Sequence, residues 1–525
     1  MKSGEIARSV SRGAFYLAIE KVAALVSGTM YFALLLRWLG PTKYGIMTLA
    51  LSFAGLATMA TGNFETYLER FAAEYQARGA LRTLRRAHLL ALGFKLALGA
   101  VAGALLLVIS PVLAGQFHTP DLAMLLPLLT LMVVFDGFST TGRAALYGMQ
   151  RFGWVCLLAV VFHVLKTLMV GLLWFTRQGL AALAVGLTVL TVVQGIVSTL
   201  VLLWLLRRGD NRADEPEAGP RELMRSITAY CLPLLGARIT FLSGQNLGKV
   251  VLGKLFDSAQ LGYFSFAFQT LERFIELAHT LPSSLLPSLT HLVAREERQR
   301  LRNVFDQAFR LIQVAACVLS FGVFVFAREL TLLVGSPLFL PAVPLLRVMA
   351  LVPIARTAQQ PLTMLFQAMR RPGTVLTLAL IKFGTEFSCY FALVPTVGMM
   401  GAGWANLAGA VVSYIAALVL LSRMVREGAA DRARAALTAI AVTVPLLVAG
   451  LLLDRPPIFG WSFAARLALV PLGVFALFAL QLVTGYDLEK LSSLPVQGAW
   501  LRRSRDGLVA AAGRLVPSSE PRGAE

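Results

Sequence analysis

Runs of roughly twenty apolar residues recur along almost the whole chain, and no other feature limits its fold as strongly. A run of that length, wound as a helix rising about 1.5 Å per residue, matches the roughly 30 Å hydrocarbon core of a bilayer. Inside that core no water bonds the backbone, so each segment must close its own hydrogen bonds as a helix or join a closed barrel. Barrel strands alternate apolar and polar residues, and these runs do not. Composition agrees. Of 525 residues, 57% are hydrophobic and 14% charged, against roughly 25% charged in soluble domains. The sequence therefore specifies an all-α polytopic membrane protein.

Spans are expected near 13–36, 44–67, 88–112, 122–144, 154–176, 180–206, 228–254, 262–286, 305–327, 341–366, 374–395, 400–422, 437–453 and 463–484, fourteen in all. The first exceeds the 7–15 apolar residues of a signal peptide and is read as retained. With the N-terminus inside, the cytoplasmic segments hold about thirty Lys and Arg, against about six on the other face. A miscounted span would reverse the later loops and spoil this bias, so both termini are expected in the cytoplasm. The bias also accounts for the net charge of +20 without nucleic acid. Outer loops such as "GQFHTPD", "RQG" and "FDSAQ" leave no room for an extracytoplasmic domain.

Two corners repeat. "RWLGPTKYG" ends at Gly45 and "GKLFDSAQLG" ends at Gly262, 217 positions later. At that offset the basic loop "ARGALRTLRRA" falls on "AREERQRLRNV", and "LYGMQRFG" falls near "LFQAMRRPG". Three elements at nearly one spacing indicate an internal repeat. Six spans per copy is an even number, so both copies enter the membrane in the same direction, as parallel repeats about a pseudo-two-fold axis along the membrane normal. The expected organisation is an N-lobe at 1–206, a cytoplasmic linker at 207–227 and a C-lobe at 228–422. Two additional spans follow at 437–486, then a cytoplasmic tail at 487–525, rich in Arg, Ser, Gly and Pro and expected to be partly disordered.

"RWLGPTKYGIMTLALSF", the "RFAAEY" segment, "LYGMQRFG" and "LGYFSFAF", in this order and spacing, resemble the polysaccharide-repeat-unit flippases of the multidrug/oligosaccharidyl-lipid/polysaccharide exporter superfamily. The resemblance covers most of the chain. It implies movement of undecaprenyl-pyrophosphate-linked oligosaccharides from the cytoplasmic to the periplasmic leaflet of a bacterial inner membrane. It also implies two extra C-terminal helices outside the lobes, where spans 13 and 14 fit. Partners expected on this ground are the lipid-linked substrate, membrane lipids, and a polysaccharide polymerase and glycosyltransferases.

A charge at the bilayer centre costs about 2.5–3.5 kcal/mol on insertion scales, so intramembrane charges face a cavity, pair, or snorkel. Lys21 and Arg238 are separated by the repeat offset of 217, on the first span of each copy. Arg238, Gln245 and Lys249 share one helix face. Lys166 and Lys382 are near-equivalent on spans five and eleven, and Arg347 and Arg356 lie on the tenth. These cations are candidates for a cavity that holds a pyrophosphate. Glu20, Asp136 and Glu386 are candidates for coupling to H+ or Na+. Each has a plainer reading: Lys382 with Glu386, at i,i+4, is a possible local pair, and Lys249 a possible snorkel. Glu65 and Glu69 are expected to be solvated at a cytoplasmic end. Pro233, Pro282, Pro353 and Pro361 mark possible hinges in the seventh, eighth and tenth spans.

No catalytic or metal signature is readable. Cys156, Cys231, Cys317 and Cys389 lie within apolar runs without CxxC spacing. "GQNLGKV" lacks the spacing of a phosphate loop and the Ser or Thr after Lys. No cofactor is expected, and a secondary transporter fits better than an enzyme. A peptidoglycan-precursor flippase and a drug/cation antiporter of the same superfamily are the nearest alternatives. A membrane polymerase, ligase or glycosyltransferase is disfavoured by the short outer loops.

Overall fold

A computed structural model of the protein describes residues 3–208, 219–279, 285–424, 428–453 and 461–479. The elements run α1 (Ser3–Met59), α2 (Phe64–Ala77), α3 (Leu81–Gln116), α4 (Asp121–Gly148), α5 (Phe152–Phe175), α6 (Leu180–Arg208) and α7 (Pro220–Leu255). They continue with α8 (Ser258–His279), α9 (Leu285–Ala294), α10 (Arg298–Val325), α11 (Ala327–Val334), a 3-10 turn (Pro337–Ala342), α12 (Val343–Met349), α13 (Val352–Arg356) and α14 (Gln360–Ala368). The last four are α15 (Pro372–Val397), α16 (Met399–Met424), α17 (Ala429–Leu452) and α18 (Trp461–Ala479). No strand occurs among the described residues.

Among the described residues, ten helices are long and apolar enough to cross a membrane. One of them, Ala18–Met59, contains a break and counts as two crossings. With α7, α8 and α18 the order approximates the fourteen expected spans. The lateral faces agree with a lipid surround. Val101, Leu105 and Val108 on α3, and Leu168, Leu172 and Phe175 on α5, all lie on the surface, a large unpaired cost in water but none in lipid tails.

Local chemistry explains the interruptions. At Gly40 φ is +66° and ψ 178°, a conformation that glycine adopts without a Cβ penalty. Pro41 follows with its fixed φ and no N–H, so the helix stops and restarts across one residue. The second span ends sooner than its apolar pattern predicts. The helix stops at Met59 and the chain turns through Gly62, φ +82°, so Phe64–Tyr67 belong to the separate helix α2. The tenth span is broken into the 3-10 turn, α12, α13 and α14, with Pro344, Pro353 and Pro361 at the starts of the three α pieces. Pro282, the side chains of Pro233 and Arg238, linker positions 209–218 and the segment 480–525 lie outside the described residues.

The chain forms two compact units, residues 1–265 with 333–339, and residues 266–332 with 340–525. In the first, α4 packs against α3, α6 and α2, α1 against α5 and α4, and α7 against α1 and α3. Its core gathers Phe64, Tyr67, Leu84, Leu146, Phe162, Leu202 and Ile227 from six helices. In the second, α15 packs on α16, α12 and α13 on α16, and α10 on α17 and α18.

The repeated corners meet each other inside the first unit. A Cβ placed on Gly45 would lie 1.8 Å from the Ser258 carbonyl oxygen, and one on Gly262 would lie 2.0 Å from that of Pro41. Ser258 follows Pro41 by the same 217 positions that separate the two glycines. One turn further on, Thr48 Oγ1 and Ser265 Oγ, again 217 apart, share a hydrogen bond of 3.0 Å. Residue i touches j while the equivalent of j touches the equivalent of i, which is how a two-fold contact is built. The local crossing thus follows the 217-residue offset read from the sequence.

Candidate functional site

Charges buried within apolar helices define the candidate site, and each unit has its own set. In the first unit Lys95 of α3 has no exposed surface. Its Nζ donates to Glu65 Oε2 of α2 at 2.9 Å, to Thr140 Oγ1 of α4 at 2.8 Å and to Asp136 Oδ2 of α4 at 3.3 Å. Three donor protons meet three acceptors, which satisfies an ammonium in a dry place. One cation beside two carboxylates leaves one net negative formal charge. Glu65 is thus not a solvated cytoplasmic acid. The chain turn at Gly62 folds α2 back against α3 and α4, and Glu65 points inward.

Glu20 of α1 is buried and accepts from Arg143 Nη2 of α4 at 2.6 Å. Lys21 stands at the surface of α1. Lys166 of α5 places Nζ 4.7 Å from the centre of the Tyr31 ring on α1, a cation–π contact. On α7, Lys249 and Asn246 are buried and Gln245 is half-buried. Arg238 belongs to the same helix, with its side chain outside those described. Beyond the spans, Tyr75 of α2 bonds to the Tyr67 hydroxyl at 2.8 Å. Burial first, then that hydrogen bond, pushes the Tyr75 hydroxyl above its ordinary range.

In the second unit Arg356 of α13 holds both carboxylate oxygens of Glu272 on α8, Nη1 to Oε1 and Nη2 to Oε2, the second at 3.1 Å. Such a fork is the strongest form of carboxylate pairing. Lys382 reaches Glu386 Oε1 at 2.8 Å along α15, and Glu386 is fully buried. Arg347 of α12 lies with Cζ 5.9 Å from the Phe324 ring centre. Arg466 of α18, with no exposed surface, donates to Glu329 Oε1 of α11 at 2.5 Å and to the Val325 carbonyl at 3.1 Å.

The structure therefore brings Glu20, Asp136, Glu386, Arg356 and Lys382 into ion pairs, and Lys166 and Arg347 onto aromatic faces. Lys95, with all three donors engaged, can serve a phosphate only by releasing an acceptor, whereas a paired guanidinium keeps donors to spare; a carboxylate so released can take up a proton or metal cation. Sequence reasoning passed over Lys95, Arg143, Glu272, Glu329 and Arg466. The insertion cost that singled out the other charges applied equally to these. Among the described residues no group of three or more His, Cys, Asp or Glu could hold a metal ion.

Comparison with known proteins adds a family and a fold. The family model described as "polysaccharide biosynthesis protein" matches residues 34–344. A comparison with curated proteins gives no match. The fold is similar to that of the lipid II flippase MurJ in an inward closed conformation, with a TM-score of 0.64, 12% identity, and coverage of 89% of this chain and 98% of that one. It is also similar to a multidrug-resistance MATE family transporter of the MOP superfamily in an inward-facing conformation, with a TM-score of 0.56, 15% identity, and coverage of 80% and 96%.

Proposed function

Because the chain belongs to the polysaccharide biosynthesis protein family, we propose that it is a flippase for undecaprenyl-pyrophosphate-linked oligosaccharides. It carries them from the cytoplasmic to the periplasmic leaflet of a bacterial inner membrane, with both termini in the cytoplasm. The observation that carries the reading is the set of charges buried in a membrane-transporter fold. Lys95, Glu65 and Asp136 in one unit, and Arg356, Glu272, Lys382 and Glu386 in the other, are costly to place among apolar helices and supply the paired charges that a polar substrate pathway can use. Lys21, Arg238, Lys166, Lys249, Arg347, Arg356 and Lys382 are the residues proposed to meet the pyrophosphate. Glu20, Asp136 and Glu386 are proposed to exchange H+ or Na+ as their cations move. Movement is proposed to follow alternating access. A polymerase and glycosyltransferases are the proposed partners.

Lipid mass spectrometry tests this. Deletion of the gene should accumulate undecaprenyl-linked oligosaccharide and abolish surface polymer. Wild type should reverse both, and a well-expressed Arg238→Ala/Lys21→Ala variant should not. Normal lipid-linked pools and normal surface polymer in the deletion strain would overturn the reading.

A further inference from the structure

The two-fold crossing at Gly45 and Gly262 extends into a pair of crosswise contacts. Arg37, at the end of the first arm of α1, donates from Nη2 to the Leu333 carbonyl at 2.7 Å and from Nε to the Gly335 carbonyl at 3.0 Å. Lys254, at the end of α7, donates from Nζ to the Gln116 carbonyl at 2.6 Å. Arg37 and Lys254 are 217 apart, and so are Gln116 and Leu333. The cation that ends the first helix of each repeat thus bonds a carbonyl of the other repeat. Both acceptors sit at helix C-termini, Gln116 closing α3 and Leu333 in the last turn of α11. There the unsatisfied carbonyls carry partial negative charge that favours a cation. Aromatic rings back the contacts. Lys254 Nζ lies 5.7 Å from the Phe117 ring centre, and the buried Phe339 ring stands edge-on to both Tyr44 and Tyr263 at 6.2 Å.

The layers differ in strength. The Gly45–Gly262 crossing and the Thr48–Ser265 bond are buried, whereas Arg37 and Lys254 lie at the surface. Hydrogen bonds there compete with water and part at small cost. All of these residues lie at the ends of spans that face away from the basic loops.

We propose that Arg37 and Lys254 form a two-point latch on the extracytoplasmic face, each capping a helix end of the opposite repeat, and that the two points release together when the protein opens outward. The need to open rests on the transporter reading above; the residues and their pairing rest on the contacts alone.

The test is free of substrate. In a background with the four native cysteines replaced by serine, Ser265→Cys is labelled in intact cells with a membrane-impermeant maleimide. With the latch intact labelling is slow. Arg37→Ala/Lys254→Ala should raise the rate at least about fivefold, each single variant less, while Arg37→Lys stays near the starting rate. Equal rates in all variants at equal membrane abundance would overturn the latch. A second measurement stands if the double alanine variant fails to accumulate. Thr48→Cys/Ser265→Cys places two thiols where hydroxyls now stand 3.0 Å apart. Oxidation to the disulfide with copper phenanthroline should stop surface-polymer restoration, and reduction should return it. Unchanged restoration with the disulfide formed would show that the crossing never opens, and would overturn the proposal. Loss of restoration by the reduced wild type would instead bear on the substrate assignment, leaving the labelling result to decide the latch.

Discussion

Replacing Gly45 or Gly262 by alanine adds one methyl group where the structure has a carbonyl oxygen. The added carbon would stand 1.8 Å from Ser258 O at one site and 2.0 Å from Pro41 O at the other. Both obstacles are backbone, so no side-chain rotation relieves them, and the helices must part by about 1 Å or more to restore ordinary contact. That parting stretches the 3.0 Å bond between Thr48 and Ser265. Overpacking costs about 1–3 kcal/mol and the lost bond about 0.5–1.5 kcal/mol, giving roughly 1.5–4.5 kcal/mol of destabilisation for either variant. The same substitution at Gly171, in the interior of α5 with open space around its Cβ position, should stabilise by about 0.5–1 kcal/mol through helix propensity. Identical chemistry is thus expected to have opposite signs at two helical positions. The double variant Gly45→Ala/Gly262→Ala should cost less than the sum of the singles, because helices already parted for one methyl accept the second. Unfolding in mixed micelles, with thermal midpoints in detergent as a second ranking, measures all four proteins. Gly45→Ala matching Gly171→Ala, or strict additivity of the double variant, would refute the two-fold crossing.

The buried charges yield further outcomes by the same assays. Lys95→Met leaves Glu65 and Asp136 facing each other without their cation and should destabilise by about 3–5 kcal/mol, while Lys95→Met/Glu65→Gln/Asp136→Asn should recover most of the loss. Arg466→Met strands the buried Glu329. It should free α18 for proteolysis at a cost of about 3–5 kcal/mol, with Glu329→Gln restoring protection. Arg356→Lys keeps the charge but loses the two-pronged contact with Glu272. A cost of about 1–2 kcal/mol in unfolding is expected, with Glu272→Gln costing much less in the lysine background than alone.

Several features were legible because they depend on short stretches of chain. Apolar length specified helices, since a backbone in lipid has nowhere else to send its hydrogen bonds. The Lys382–Glu386 pair was readable because four residues span one helical turn. The corner at Gly40-Pro41 and its counterpart were readable as a spacing, and the spacing foretold a two-fold axis. The early stop at Met59 was missed because the apolar pattern runs on past it. The turn at Gly62 is a matter of backbone angle, which hydropathy does not register.

Which charge meets which was decided by the tertiary structure. Lys95 finds Glu65 and Asp136 on two other helices, and Arg143 finds Glu20 across 123 positions. Those partnerships depend on how each helix is rotated and tilted about its axis, and packing sets both. The insertion cost announces only that a buried charge needs a partner, because it is the same for every charge at a given depth. The crosswise bonds of Arg37 and Lys254 show the same division. The sequence by itself determined that a helical membrane protein with a repeat offset of 217 would have equivalent cations at the ends of equivalent helices. Only folding brought each cation to the helix end of the other repeat, because a two-fold axis fixes which residues correspond and leaves their separation to packing.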